Sequence, residues 1–250
     1  MTLTWIRPAA ATVLCAVLVS GPAAAQQQAT HTIAPGKATE IRVNVTGDVT
    51  LAPDDLATEI TVSGSAPVGT PPLKVEVTHT GARLNLALSG PARSVLPFAP
   101  SGHTYTVRYP ARLRVDLREF AGAVSIAHAR APVQIYNANG PISILGASAP
   151  VTAEADNGAI AASGIGSAIA ATTGSGRVSV ALASGWSGRE VRLESSNGAL
   201  ELALPPGTRA HFDLSTGQGA IHNAFANDPK APLIFMLTER GDINVTRENL

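Results

Sequence analysis

The sequence predicts an all-β chain: a β-solenoid or β-roll of 18- to 22-residue coils, preceded by an N-terminal β-strand region that caps it. Three observations point there. Glycines that precede a short apolar alternation recur at Gly122, Gly140, Gly158 and Gly176, three steps of 18 residues, and then at Gly198, Gly219 and Gly241, steps of 22, 21 and 22. From Val115 to Val178 the first apolar position of each strand returns every nine residues. The 250 residues carry 23 Gly and 18 Pro but only 4% aromatic and 14% charged residues, a balance that favours short strands and turns over long helices, while 45% hydrophobic content is ample for a core.

Each glycine is followed two residues on by an apolar-x-apolar triplet: Val124-Ser-Ile126, Ile142-Ser-Ile144, Ile160-Ala-Ala162, Val178-Ser-Val180, Leu200-Glu-Leu202, Ile221-His-Asn223 and Ile243-Asn-Val245. A second series runs midway between them: Val115-Asp-Leu117, Val133-Gln-Ile135, Val151-Thr-Ala153, Ile169-Ala-Ala171, Val191-Arg-Leu193 and Phe212-Asp-Leu214. Side chains alternate across a strand, so the outer members of each triplet face inward while Ser125, Gln134, Ser143, Thr152 and Ser179 face water. Two nonapeptides then make one coil, which buries its inner face only by stacking on its neighbours.

Turns this tight favour Gly, and Asn more than most residues, at positive φ. Asn139, Asn157 and Asn197 stand immediately before Gly140, Gly158 and Gly198 and should form a column, either as candidate binding residues or as amides that bond one another and the turn backbone. Trp186 lies in Ser184-Gly-Trp-Ser-Gly188, where the period changes from 18 to 22, and is either a staple for that junction or an exposed sugar-stacking residue. The nonapeptide spacing matches calcium-binding β-rolls, but the ligands are missing: Asp156-Asn157-Gly158 is the nearest approach, and the equivalent Ala138-Asn139-Gly140 and Gly174-Ser175-Gly176 lack a carboxylate.

Upstream, alternating segments are expected as strands at Ile41–Val45, Val49–Leu51, Ile60–Val62, Leu73–Val77, Leu84–Leu88 and Tyr105–Tyr109, with Gly90 to Gly102 as the main internal loop. Gly47-Asp-Val-Thr-Leu51 has the form of the later coils, so the sheets should run on from this part into the repeats. A cap here would guard the open end of the stack, and Pro229, Pro232 and Arg247-Glu248 would blunt the other. The expected division is a signal peptide over 1–25, a capping region over 26–110 and the repeats over 111–250.

The leader carries one cation, Arg7, an apolar stretch from Ala9 to Val19, and Ala23-Ala24-Ala25 before Gln26, the layout of a cleavable secretory signal cut between Ala25 and Gln26. Its apolar run is short of the roughly 20 residues that span a bilayer, so no transmembrane segment is expected in the mature chain. The single cysteine, Cys15, falls inside the leader, and disulfides, thiolate metal sites and Cys nucleophiles are excluded from the mature protein. Losing Arg7 leaves 17 basic against 18 acidic residues, which supports no nucleic-acid surface.

Ile41-Arg-Val-Asn-Val45 with Gly47-Asp-Val-Thr-Leu51, the Tyr105-Thr-Val-Arg-Tyr-Pro110 strand leading into the repeats, and the run of Asn/Ser/Thr-x-Gly-x-Ile/Val-x-Ile/Val units resemble the bacterial "putative adhesin" family of exported β-solenoid repeat proteins related to the auto-transporter adhesin head domain. The resemblance spans about residues 38 to 246. It implies an envelope or surface protein in the periplasm or outside the cell, and it brings no catalytic residue with it.

Catalytic chemistry is sparse. No Gly-x-Ser-x-Gly elbow, His-Glu-x-x-His helix or phosphate loop occurs, and His31, His79, His103, His128, His211 and His222 show no metal-ligand spacing. The 21- and 22-residue offsets would set Arg192 beside Asp213 and Glu201 beside His222, so an enzyme would draw on Glu201, Asp213 and His222; cross-strand charge pairing is the simpler account. The expectation is therefore a non-enzyme without metal or cofactor, an adhesin-like binding or scaffold module meeting an envelope or surface partner, protein or polysaccharide. A carbohydrate-active enzyme or polysaccharide-binding solenoid, and an envelope-stress signalling component, remain open.

Overall fold

Among the described residues, alternating apolar positions in short runs punctuated by glycine give strands as the only regular elements. The computed structural model describes residues 26–67, 73–88 with Ser89, 103–188 and 190–248. The expected signal peptide up to Ala25 and the Gly90 to Gly102 loop lie outside the described residues. The N-terminal strands are β1 (Gln26–Ile33), β2 (Glu40–Val45), β3 (Asp48–Asp54), β4 (Ile60–Pro67), β5 (Lys74–Thr80), β6 (Arg83–Ser89) and β7 (Thr104–Pro110). The repeat region gives β8 (Arg114–Glu119), β9 (Val124–Ala129), β10 (Val133–Asn139), β11 (Ile142–Ala147), β12 (Val151–Asn157), β13 (Ile160–Ile165), β14 (Ile169–Ser175), β15 (Val178–Leu182), β16 (Glu190–Asn197) and β17 (Leu200–Leu204). It ends in β18 (His211–Gln218), β19 (Ile221–Asn223), β20 (Leu233–Arg240) and β21 (Ile243–Arg247). The sequence reading passed over β1, whose Gln-rich start carries no apolar alternation, and β20, whose Leu233 to Leu237 run is apolar throughout.

These strands form two mixed sheets. One has eleven strands in the order β1-β4-β7-β3-β9-β11-β13-β15-β17-β21-β19, the other ten in the order β18-β20-β16-β14-β12-β10-β8-β2-β6-β5. From β8 to β17 consecutive strands alternate between the sheets, and each of β8 to β15 pairs in parallel with the strand two further along: Val133 with Val151, Ile142 with Ile160, Ile169 with Val191. Antiparallel pairs are confined to β1, β4, β5 and their partners. The outer residues of the triplets, among them Ile135, Ala153, Ala171, Val191 and Leu202, are buried in one continuous core that also takes in Ile41, Leu84 and Tyr105, except in the last layer, where Phe212 and Leu214 are half-buried and Ile221 and Asn223 exposed. The N-terminal strands thus extend the same two sheets.

Stack order departs from chain order at both ends. Strands β2 and β3 lie between β6/β7 and β8/β9, and β20 and β21 lie between β16/β17 and β18/β19. The Tyr105–Pro110 strand, β7, runs in chain order into β8 and pairs with β3 and, antiparallel, with β4. One expectation falls with the stack order. Arg192 pairs with Phe235 rather than Asp213, and Glu201 with Asn244 rather than His222, because β20 and β21 intervene.

The glycines at the turns stack as one column, Gly47, Gly122, Gly140, Gly158, Gly176, Gly198, Gly241, Gly219. A Cβ on Gly140 would stand 2.0 Å from the carbonyl oxygen of Gly122, and one on Gly198 1.9 Å from that of Gly176, so these positions require glycine because the backbones approach closely. Gly166, by contrast, would place a Cβ in ordinary contact, 3.5 Å from the Ala147 oxygen. Gly140→Ala is therefore expected to lower unfolding stability by about 3 kcal/mol, a severe overpacking cost, while Gly166→Ala stays within about 0.5 kcal/mol of wild type. Urea unfolding of the two variants checks the contrast.

Candidate functional site

Along the glycine column carbonyl oxygens are met by side chains from the next strand of the ten-stranded sheet, buried at Asn137, Thr173, Ser195 and Thr238 and half-buried at Thr216. Asn137 Nδ2 donates to Gly122 O at 2.9 Å, Thr173 Oγ1 to Gly158 O at 2.9 Å, Ser195 Oγ to Gly176 O at 3.1 Å, Thr238 Oγ1 to Gly198 O at 3.0 Å and Thr216 Oγ1 to Gly241 O at 2.9 Å. A buried carbonyl left unbonded would cost more than such a bond contributes, which accounts for polar residues on an otherwise apolar inner row. Ala155 holds the equivalent position in one layer, in register between Asn137 and Thr173, and brings no donor. The sequence reading missed this row. Its signal is a polar residue three places before the column glycine, as in Asn137-x-x-Gly140 and Thr173-x-x-Gly176, with Ala155 before Gly158 the exception.

At the head of the row, in register with Val45 and Asn137, stands Glu119, which is fully buried. Its Oε1 accepts the backbone N–H of Gly47 at 3.0 Å and of Ala121 at 2.9 Å, joining the inserted β2–β3 turn to the first repeat layer. Burial pushes its carboxyl up to about 7, against the opposing pull of the backbone amides. The protonated form is thus favoured in the fold, so its contribution to stability is present below the ordinary value near 4.5 and is lost as pH rises towards 7.

The asparagine column lies outside this row. Asn139 and Asn157 pair in register, Asn157 aligns with Ser175, Ser175 with Asn197, and Asn197 with Arg240. Asn157 Nδ2 donates to Asn139 Oδ1 at 3.3 Å, Asn139 Nδ2 to Phe120 O at 3.4 Å, and Arg240 to Asn197 Oδ1 at 3.2 Å. These amides bond one another, the turn backbone and Arg240 along the stack. Trp186 is half-buried, donates its indole N–H to Ser167 O at 2.8 Å and packs against the core, so it ties the β15–β16 connection to the turn before β14. Asp156 of the calcium-like turn accepts the Tyr136 hydroxyl at 2.7 Å. Glu201 and His222 share the eleven-stranded sheet with Asn244 between them, and Asp213 belongs to the other sheet. Among the described residues no group of three His, Cys, Asp or Glu converges, and no helix is long and apolar enough to cross a membrane.

The outer face of the eleven-stranded sheet carries an open groove of about 620 Å³. It crosses β11, β13, β15, β17 and β21, with Ser143, Ser179, Glu201 and Asn244 on one row and Leu145, Ser163 and Thr246 beside it. Small residues such as Ala161 and Ala203 form its floor, and Arg177 pairs with Glu201 at 3.5 Å on its rim. The outer face of the ten-stranded sheet is instead laced with charge: Arg42 bonds Asp116 at 2.7 Å, Arg83 bonds Glu40 at 2.6 Å, and the Arg192 guanidinium lies over the Phe235 ring.

No family model matches the chain, and no curated protein matches it. Among solved structures it is similar to a "putative adhesin" from Bacteroides fragilis, at 13% identity and a TM-score of 0.52, over 88% of this chain and 97% of that one. A "putative cell adhesion protein" from Clostridium sporogenes matches at 11% identity and a TM-score of 0.42, over 89% of this chain and 100% of that one. A "putative adhesin" from Parabacteroides distasonis matches at 13% identity and a TM-score of 0.40, over 87% and 96%. The first of these likenesses is one of fold.

Two outcomes follow for the buried row. Thr173→Val should lower stability by about 1–2 kcal/mol, and Ala155→Ser, which supplies the missing donor, should raise it by up to about 1 kcal/mol; denaturant melts measure both. Between pH 4.5 and 7 the wild type should lose up to about 3 kcal/mol relative to Glu119→Gln, whose stability keeps no such dependence. Parallel unfolding curves that hold the same separation across this range would contradict the assignment.

Proposed function

We propose that the chain is an exported, non-enzymatic β-solenoid of 18- to 22-residue coils, an adhesin-like module that holds a partner on a sheet face in the periplasm or at the cell surface. The single observation that carries this reading is the groove on the eleven-stranded sheet, where polar side chains from four of five successive strands, Ser143, Ser179, Glu201 and Asn244, stand in register with Ala161. Such a face suits recognition of an extended partner by many modest polar contacts, since side chains on adjacent strands stand about 4.8 Å apart. The fold it shares with the Bacteroides fragilis "putative adhesin" supports the same reading.

The leader over residues 1–25, with cleavage between Ala25 and Gln26, would carry the chain across the inner membrane. The cap over 26–110 would protect one end of the solenoid, consistent with the antiparallel strands found there. Catalysis by Glu201, Asp213 and His222 has no support in their placement, because no two of them are neighbours.

Cell fractionation with surface proteolysis tests the reading. The protein is expected in the periplasmic or surface fraction with Gln26 at its N-terminus. A purely cytoplasmic protein, or one that cleaves acidic polysaccharides and loses that activity on Glu201→Ala, would be a different molecule from the one proposed. Ser179→Arg, which fills the groove floor, should abolish partner binding without lowering the melting temperature.

A further inference from the structure

On the eleven-stranded sheet, β9, β11 and β13 each bulge one residue before their last inward side chain: Ala127 pairs with Leu145 and Ala129 with Ala147, leaving His128 and Gly146 outside the ladder. The three bulge residues share a left-handed backbone, with φ of 57° at His128, 70° at Gly146 and 67° at Gly164. Glycine adopts this conformation at little cost, whereas an L side chain is strained by it. His128 is the only non-glycine with positive φ among the described residues. Two places on, the first layer again departs from its neighbours, with Arg130 where they have Ser148 and Gly166. Retention of strain at one layer of a repeat points towards a use for the side chain.

Both side chains are exposed and line one open groove of about 330 Å³, over a floor that includes Gly146, Ser148 and Gly164. The imidazole lies across Gly146, where an added Cβ would come within 3.1 Å of Nδ1, so the small floor is what makes room for the ring. Among the described residues lining this groove none is acidic. Arg130 is paired through one terminal nitrogen with Asp55 at 2.7 Å, in an ion pair that is more than half exposed on the arginine side. Water-exposed pairs of this kind exchange readily, and a guanidinium has further N–H groups to offer.

We propose that His128 and Arg130 form a binding site for an oxyanion, a carboxylate or phosphate group borne by a larger molecule. The guanidinium supplies charge and two directed N–H donors, the imidazole a third donor, and the open glycine floor admits the bulk of a ligand that the site does not enclose. The site is separate from the groove of the proposed partner face and does not depend on that reading.

The test is an NMR titration of the full chain, expressed with its native N-terminus, against trigalacturonate as carboxylate source, inorganic phosphate as phosphate source, and maltotriose as neutral control. Saturable shifts at residues 128–130, 146–148 and 164–166 are expected with at least one anionic probe, and which probe binds identifies the source. His128→Gly, which restores the residue of the neighbouring layers, should weaken that binding at least tenfold with an unchanged or higher melting temperature. Arg130→Ser should weaken it as much. Absence of saturable shifts with both anions, equal binding of maltotriose, or wild-type affinity in His128→Gly overturns the proposal.

Discussion

The closeness of the glycine column governs the rest of the structure. Each turn brings the backbone of one layer so near the next that a single Cβ would lie about where a neighbour's carbonyl oxygen already stands, 2.0 Å away at Gly140 and at Gly158. That approach lets the strands on either side keep parallel ladders in both sheets, and it aims a series of carbonyls at the interior. The interior must answer them. Asn137, Thr173, Ser195, Thr238 and Thr216 do so from the inner row, between apolar residues that make up the core. Glycine, buried donor and aliphatic pair are therefore three parts of one constraint, repeated layer by layer.

The same constraint accounts for how the ends are held. Because most layers share the glycine, donor and apolar pattern, layers distant in the chain can stack on one another, and chain order need not equal stack order. The chain uses this freedom twice. Strands β2 and β3 are clasped between later strands, and β20 and β21 between earlier ones, so neither inserted layer can leave without breaking ladders on both sides. These pairings join residues far apart in sequence, Ile41 with Val115 and Leu200 with Ile243, and such contacts close slowly during folding. The outermost layer of the C-terminal end, β18 and β19, is left with inward residues such as Ile221 partly exposed, and Phe225 packs against Phe212 over that opening.

Much of this was legible in the residues. Period-two alternation located most of the N-terminal strands, and the nine-residue register located those from β8 to β15, because both patterns report burial directly. Layer order was not legible, since steps of 22, 21 and 22 between Gly176, Gly198, Gly219 and Gly241 are compatible with either order of the last two layers. Only the three-dimensional path of the connections decides it. The buried donors follow from the same alternation, as Val133, Ile135 and Asn137 fall on one face, but a polar residue inside a strand reads as surface until its carbonyl partner is known. The asparagine column could be anticipated as turn chemistry. His128 could not, because its left-handed backbone and its glycine floor emerge only from stacking.

Cysteine pairs test the layer order most directly, because adjacent strands lie about 4.8 Å apart and strands two layers apart about twice that, beyond the reach of a disulfide. The structure predicts that Glu201→Cys combined with Asn244→Cys oxidises to an intrachain disulfide, while Glu201→Cys combined with His222→Cys stays reduced. The opposite result, a disulfide in the second pair and none in the first, would mean that the layers stack in chain order and that the inserted arrangement is wrong.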